Sequence, residues 1–187
     1  MVSLAHLWLP ILLSAVFVFV ASSLIHMVLK WHNSDYHGLG NEDEVRAAVR
    51  KADAAPGMYV IPYCKEMKDM GSEDMQRKFK EGPVGFLILR QPGPMAMGKN
   101  LVQWFLFCAV TSFFCAYLAG HVLPAGTPYL TVFRVIGTAA FMAYSFGSLS
   151  MAIWWGQPWG AALKDILDGL IYGLVTAGTF GWLWPHA

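Results

Sequence analysis

Charge is spread along this chain so unevenly that few folds remain open to it. Ten of the twelve acidic residues and eleven of the thirteen lysines and arginines fall between Lys30 and Lys99. The segments on either side are almost free of charge. Residues 7–29 form an apolar run broken only by Pro10, Ser14, Ser22, Ser23 and His26. About 20 apolar residues cross the hydrocarbon core of a bilayer, so this run predicts a membrane span. Residues 101–122, 129–155 and 166–184 predict three more. Charged residues are 13% of the chain, against about a quarter in a soluble domain. Basic residues are matched by acids nearby, which argues against a nucleic-acid partner.

The first six residues, MVSLAH, carry no Lys or Arg. A secretory signal needs a basic leader and a shorter apolar stretch, so an uncleaved first span is predicted. Pro10 falls in its first turn, where a missing N–H costs little. Trp8 and Trp31 bracket it as interfacial aromatics.

Residues 31–100 read as a small soluble unit. Asn41 precedes Glu42, Asp43 and Glu44, an N-cap followed by acids that favour a helix N-terminus. Residues 58–63 (MYVIPY) are strand-like, with Pro62 confining them to an edge. Ser72 with Glu73 and Asp74 starts a second helix, which Gly82-Pro83 stops. Residues 84–89 (VGFLIL) give the clearest strand signal. The fold predicted is mainly α and integral to the membrane: four transmembrane helices, with a small cytoplasmic αβαβ insertion between helices 1 and 2. The divisions are 1–30, 31–100 and 101–187, the last a three-helix segment packing with helix 1.

Lys30, Lys99 and Lys164 flank the spans on the side of the long insertion. The opposite loops contain no Lys or Arg. Positive residues stay on the cytoplasmic side, so the insertion is predicted in the cytoplasm of a cell with an inner membrane, with both termini outside. Gly169 and Gly173 form a small-xxx-small face on the last span, and Gly137, Ala140, Tyr144 and Gly147 line the third. Such faces let helix backbones approach closely in lipid, so spans three and four are predicted to pack as an antiparallel hairpin.

Few residues suggest chemistry. Arg134 lies inside the third span, where a charge costs about 2.5–3.5 kcal/mol; it either snorkels, pairs with the carboxylate of Ala187, or contacts an anion or carbonyl in a cavity. Asp165 and Asp168 sit at the start of the fourth span beside Lys164. They suit a helix N-terminus, and Asp168 is also a candidate for proton or cation entry. The histidines divide into an inner group, His26, His32 and His37, and an outer group, His6, His121 and His186. Either could supply zinc or copper ligands if the imidazoles converged, but nothing in the spacing forces this, and no metal site is predicted. His26 is the histidine expected inside the bundle. The sequence leaves open whether His26, His32 and Asp35 meet Asp165 and Asp168 at one face.

Cys108 and Cys115 are seven residues apart on one helical face and read as packing residues. With Cys64 they form no CxxC pattern. Phosphate-binding, dinucleotide and hydrolase motifs are missing from the sequence. No motif requires a cofactor, and none identifies an enzyme. The leading expectation is therefore a non-enzymatic membrane protein whose partners are the lipid bilayer and either other membrane chains or copies of itself. An oligomeric channel or transporter is the alternative, and a histidine-ligated metal or redox protein is the third.

Overall fold

The computed structural model describes residues 1–186. It is mostly helical. Three helical segments are long and apolar enough to cross a membrane: Leu4–Leu29, Met97–Val122 and Tyr129–Trp155. The first comprises α1 (Trp8–Ser23), preceded by a 3-10 turn at Leu4–Leu7 and continued by a π-helical turn at Leu24–Leu29. α4 is Met97–Val122, α5 is Tyr129–Trp155 and α6 is Trp159–Trp182. At 24 residues α6 has the length of a span. Lys164, Asp165 and Asp168 near its start set it apart from those three segments.

The chain divides into two compact units. The first holds Met1–Tyr36, Ala96–Ala152 and the chain from Gln157 onward. The second holds His37–Met95 with Ile153–Gly156. The sequence reading opened the insertion at residue 31, whereas Trp31–Tyr36 belongs with the helices. The reason is polar: Lys164 of α6 holds this segment, as described below.

In the helical unit α1 packs on both α4 and α6. Trp104 of α4 donates its indole N–H to Ser22 Oγ of α1 at 2.8 Å. One apolar cluster joins Leu7, Cys115, Ala116, Ile136, Ala140, Ala177 and Phe180. A second joins Ala15, Val18, Ile25, Cys108 and Tyr172. Cys108 and Cys115 are free, buried thiols within these clusters.

Glycine sets the approach of α5 to α6. A Cβ at Gly173 would meet Phe141 N at 3.1 Å, and one at Gly169 would meet the Tyr144 carbonyl carbon at 3.1 Å. A Cβ at Gly137 would lie 3.2 Å from Ala177 Cβ. Gly147 faces open space, so the small-residue face of α5 is used only over part of its length.

The second unit contains α2 (Glu42–Lys51), β1 (Gly57–Ile61), α3 (Glu73–Glu81) and β2 (Gly85–Leu89). β1 and β2 pair antiparallel, with Met58 opposite Ile88 and Val60 opposite Phe86. Asn41 occupies the N-cap of α2, but its side chain reaches Glu44 rather than a backbone N–H. Ser72 caps α3 by accepting from Met75 N. On α3, Lys78 and Arg77 hold the Asp74 carboxyl below its ordinary range, and Asp74 and Glu81 in turn push the Arg77 guanidinium up.

Candidate functional site

The site forms where α1 ends. Its regular ladder loosens into the π-helical turn Leu24–Leu29, a distortion often found at functional positions. Lys30 then takes a left-handed conformation, φ 54°, which lysine adopts only at a cost. The chain turns into the 3-10 segment Trp31–Asp35 and doubles back. As a result the imidazole of His32 stacks on that of His26, with centroids 4.8 Å apart and planes 20° from parallel.

α6 supplies the other half. Lys164 Nζ donates to Trp31 O at 2.9 Å, Ser34 Oγ at 2.8 Å and Asp35 Oδ1 at 2.6 Å. An ammonium has three donors, and all three are used to fasten the Trp31–Asp35 segment to α6. One turn along α6, Asp168 is only 4% exposed. Its Oδ2 lies 2.9 Å from His32 Nε2 and 3.9 Å from His26 Nε2. Asp165, between them, accepts from Gln157 Nε2 at 2.7 Å.

The outer nitrogens of both rings are occupied. His32 Nδ1 donates to Asp35 Oδ2 at 2.9 Å, and His26 Nδ1 donates to the Ser22 carbonyl at 3.1 Å. In a neutral imidazole this fixes the proton on Nδ1 and leaves Nε2 as a lone pair. Both lone pairs then face the Asp168 carboxylate. A lone pair 2.9 Å from a carboxylate oxygen requires a positive species between them, either a proton or a metal ion. Lys164, with His32 adding to it, also holds the Asp35 carboxyl below the usual range despite its partial burial.

The cluster borders a cleft of about 590 Å³ within the helical unit. His26, Asp168, Trp104, Tyr144, Tyr172 and Leu101 are among its lining residues. Three polar atoms of these residues, Asp168 Oδ1, Tyr144 Oη and Tyr172 Oη, are buried without a hydrogen-bond partner. Each such atom costs about 1–3 kcal/mol.

Burial of the histidines differs from the sequence expectation. His26 was expected inside the bundle, yet its side chain is 53% exposed, whereas that of His32 is 13% exposed. The reversal at Lys30 is the cause, because it carries His32 back beneath His26. His37 belongs to the other compact unit. Among the outer histidines, His6 Nδ1 bonds Ser3 Oγ and His121 Nδ1 accepts no ligand role, donating instead to Tyr117 O at 2.7 Å. His186 is exposed. Among the described residues His6, His121 and His186 do not come together as a candidate metal group, whereas ligand atoms of His26, His32 and Asp168 lie within 4.8 Å of one another and could hold an ion.

Arg134 is exposed on α5 and lines a groove with Leu118, Thr138 and Met142. It makes no salt bridge among the described residues, and Ala187, whose carboxylate is one of the three alternatives for it, lies outside them. Lys164 is the site residue that sequence reasoning used only for orientation. Its signal was available: Lys164, Asp165 and Asp168 are the only charged residues in α6, so each calls for a polar partner nearby. No protein-family profile, curated protein or solved structure matches the chain.

Proposed function

We propose that this chain is a multi-pass membrane protein that binds one divalent transition-metal ion through His26 Nε2, His32 Nε2 and Asp168 Oδ2. The convergence of two Nδ1-anchored imidazoles on one buried carboxylate carries the reading. Tetrahedral ligands at zinc-type bond lengths stand about 3.4 Å apart, and the separations of 2.9 Å and 3.9 Å bracket that value. Ligating histidines ordinarily donate their second N–H to a carboxylate or a backbone carbonyl. Asp35 and Ser22 O fill those roles here.

Charge supports the same reading. Asp35, Asp165 and Asp168 are matched by Lys164 alone, which leaves two negative charges for a divalent ion to neutralise. Two protonated imidazoles stacked at 4.8 Å would repel each other. Nitrogen-rich donors suit zinc, copper, nickel or iron rather than calcium or magnesium, which prefer oxygen.

In this reading the protein has four spans, α6 being the fourth, in a cell inner membrane. The second unit is cytoplasmic and both termini are outside, as the placement of Lys30, Lys99 and Lys164 favours. The metal site then sits at the cytoplasmic edge of the bundle. Gly137, Gly169 and Gly173 are engaged between α5 and α6 rather than left open to another chain, so the polar site is the stronger guide to function.

The test is a cobalt titration of chelator-stripped protein in mild detergent. One saturable site per chain is expected, with visible absorption of low-symmetry Co²⁺. His32→Ala and Asp168→Asn should each weaken binding by at least about a hundredfold, beyond what loss of an outer-shell partner causes. Absence of saturable binding, or binding that ignores both substitutions, would overturn the proposal.

A further inference from the structure

We infer that the metal site is an open one, and that the cleft beside it admits an uncharged, lipid-soluble carbonyl compound with a flat ring, whose oxygen completes the metal's coordination. This rests on the metal-binding reading above and adds the class of ligand. The protein offers three ligand atoms, and catalytic or ligand-accepting metal sites characteristically stop at three and leave a position free. Two of the three ligands, His26 and Asp168, also line the 590 Å³ cleft, so the free side of the ion faces it. That volume falls within the range of small-molecule pockets.

The walls select the occupant. Trp104, Tyr144 and Tyr172 form a mutually packed aromatic group, with ring centroids 5.5–6.4 Å apart. Aromatic surfaces of this kind favour a planar guest in offset or edge contact. Met27, Met97 and Leu101 add apolar surface beside Ser22, Ser23 and Ser148, which favours a guest with a hydrocarbon tail. Charge selects the head group. Asp35, Asp165 and Asp168 face one fixed cation, Lys164, so a divalent ion brings the group to neutrality with both histidines neutral. A neutral carbonyl preserves that balance, whereas an anionic head leaves an uncompensated charge beside apolar surface, which is costly. The structure thus points to a ligand of the quinone class rather than a fatty acid.

The test uses the cobalt-loaded full chain in detergent and two probes, a decyl-substituted benzoquinone and decanoate. The benzoquinone is expected to change the visible cobalt bands saturably, and decanoate to leave them unchanged. Leu101→Trp, which fills the cleft away from the ligands, should retain one cobalt per chain and weaken the benzoquinone response at least tenfold. Unchanged bands with benzoquinone at saturating cobalt would overturn this inference while leaving the metal site standing. So would a response to decanoate alone, or a full response in Leu101→Trp. Failure to bind cobalt stoichiometrically would overturn both.

Discussion

His32 has no idle atom: Nδ1 donates to Asp35, Nε2 meets Asp168, and the ring stacks on His26. Asp35 in turn is shared with Lys164. An acceptor on the far nitrogen raises the basicity of an imidazole and fixes its direction. Asp35→Asn keeps a hydrogen-bond acceptor but loses the charge, so metal affinity should fall by about ten- to a hundredfold with stoichiometry unchanged; competition against a chromophoric chelator reads this directly. An unaltered affinity would remove Asp35 from the site. The identity of these residues was visible in the sequence, because polar side chains beside an apolar run are few. Their arrangement was not. Burial of His32 rather than His26 depends on one backbone reversal at Lys30, and a left-handed lysine leaves no sequence signature comparable to that of glycine.

Among the elements, α5 and α6 approach each other through glycine. Gly173→Ala would press a methyl group against the Phe141 backbone, which cannot yield as a side-chain tip can. Overpacking of this kind costs about 1–3 kcal/mol. Gly147→Ala meets nothing within 4 Å and should be neutral, or stabilising by up to about 1 kcal/mol from helix propensity. Thermal unfolding in detergent should therefore separate two chemically identical substitutions on neighbouring helices; equal transition temperatures would contradict the packing described. Small-residue spacing made this contact legible beforehand at Gly169 and Gly173, but it did not distinguish Gly147, whose spacing is as good and whose surroundings are empty.

The helix α3 offers a test at the same scale. Lys78 and Arg77 hold Asp74 below its ordinary value near 3.8. Its contribution to the helix is therefore complete above that value and is lost as pH falls through the lower folded value. Amide exchange in α3 should rise only in strong acid, and Asp74→Asn should abolish that acid-dependent step; an identical acid profile in the variant would contradict the ion-pair assignment. Capping and charge order made α2 and α3 readable from sequence, since Asn41 and Ser72 each precede a run of acids. The antiparallel register of β1 with β2 was not readable, because both strands are short and neither carries a turn residue that fixes the pairing.

At the scale of the whole molecule, charge segregation announced the division into an apolar bundle and a polar unit. It placed the boundary at residue 31, and Lys164 moved it to His37 by claiming Trp31, Ser34 and Asp35 for the bundle. Pairing across more than 120 residues carries no local pattern, which is why the sequence leaves open whether the two polar groups meet. The site exists only because the end of α1 and the start of α6 meet, so its integrity reports on the bundle as a whole. The central claim is that this meeting point holds a divalent metal. Native mass spectrometry of the intact protein, purified in detergent after exposure to Zn²⁺ and removal of excess, tests it most directly. One zinc ion per chain is predicted for the wild type and none for the His32→Ala/Asp168→Asn double variant. A metal-free wild type, or a double variant carrying the same single ion, would contradict the claim.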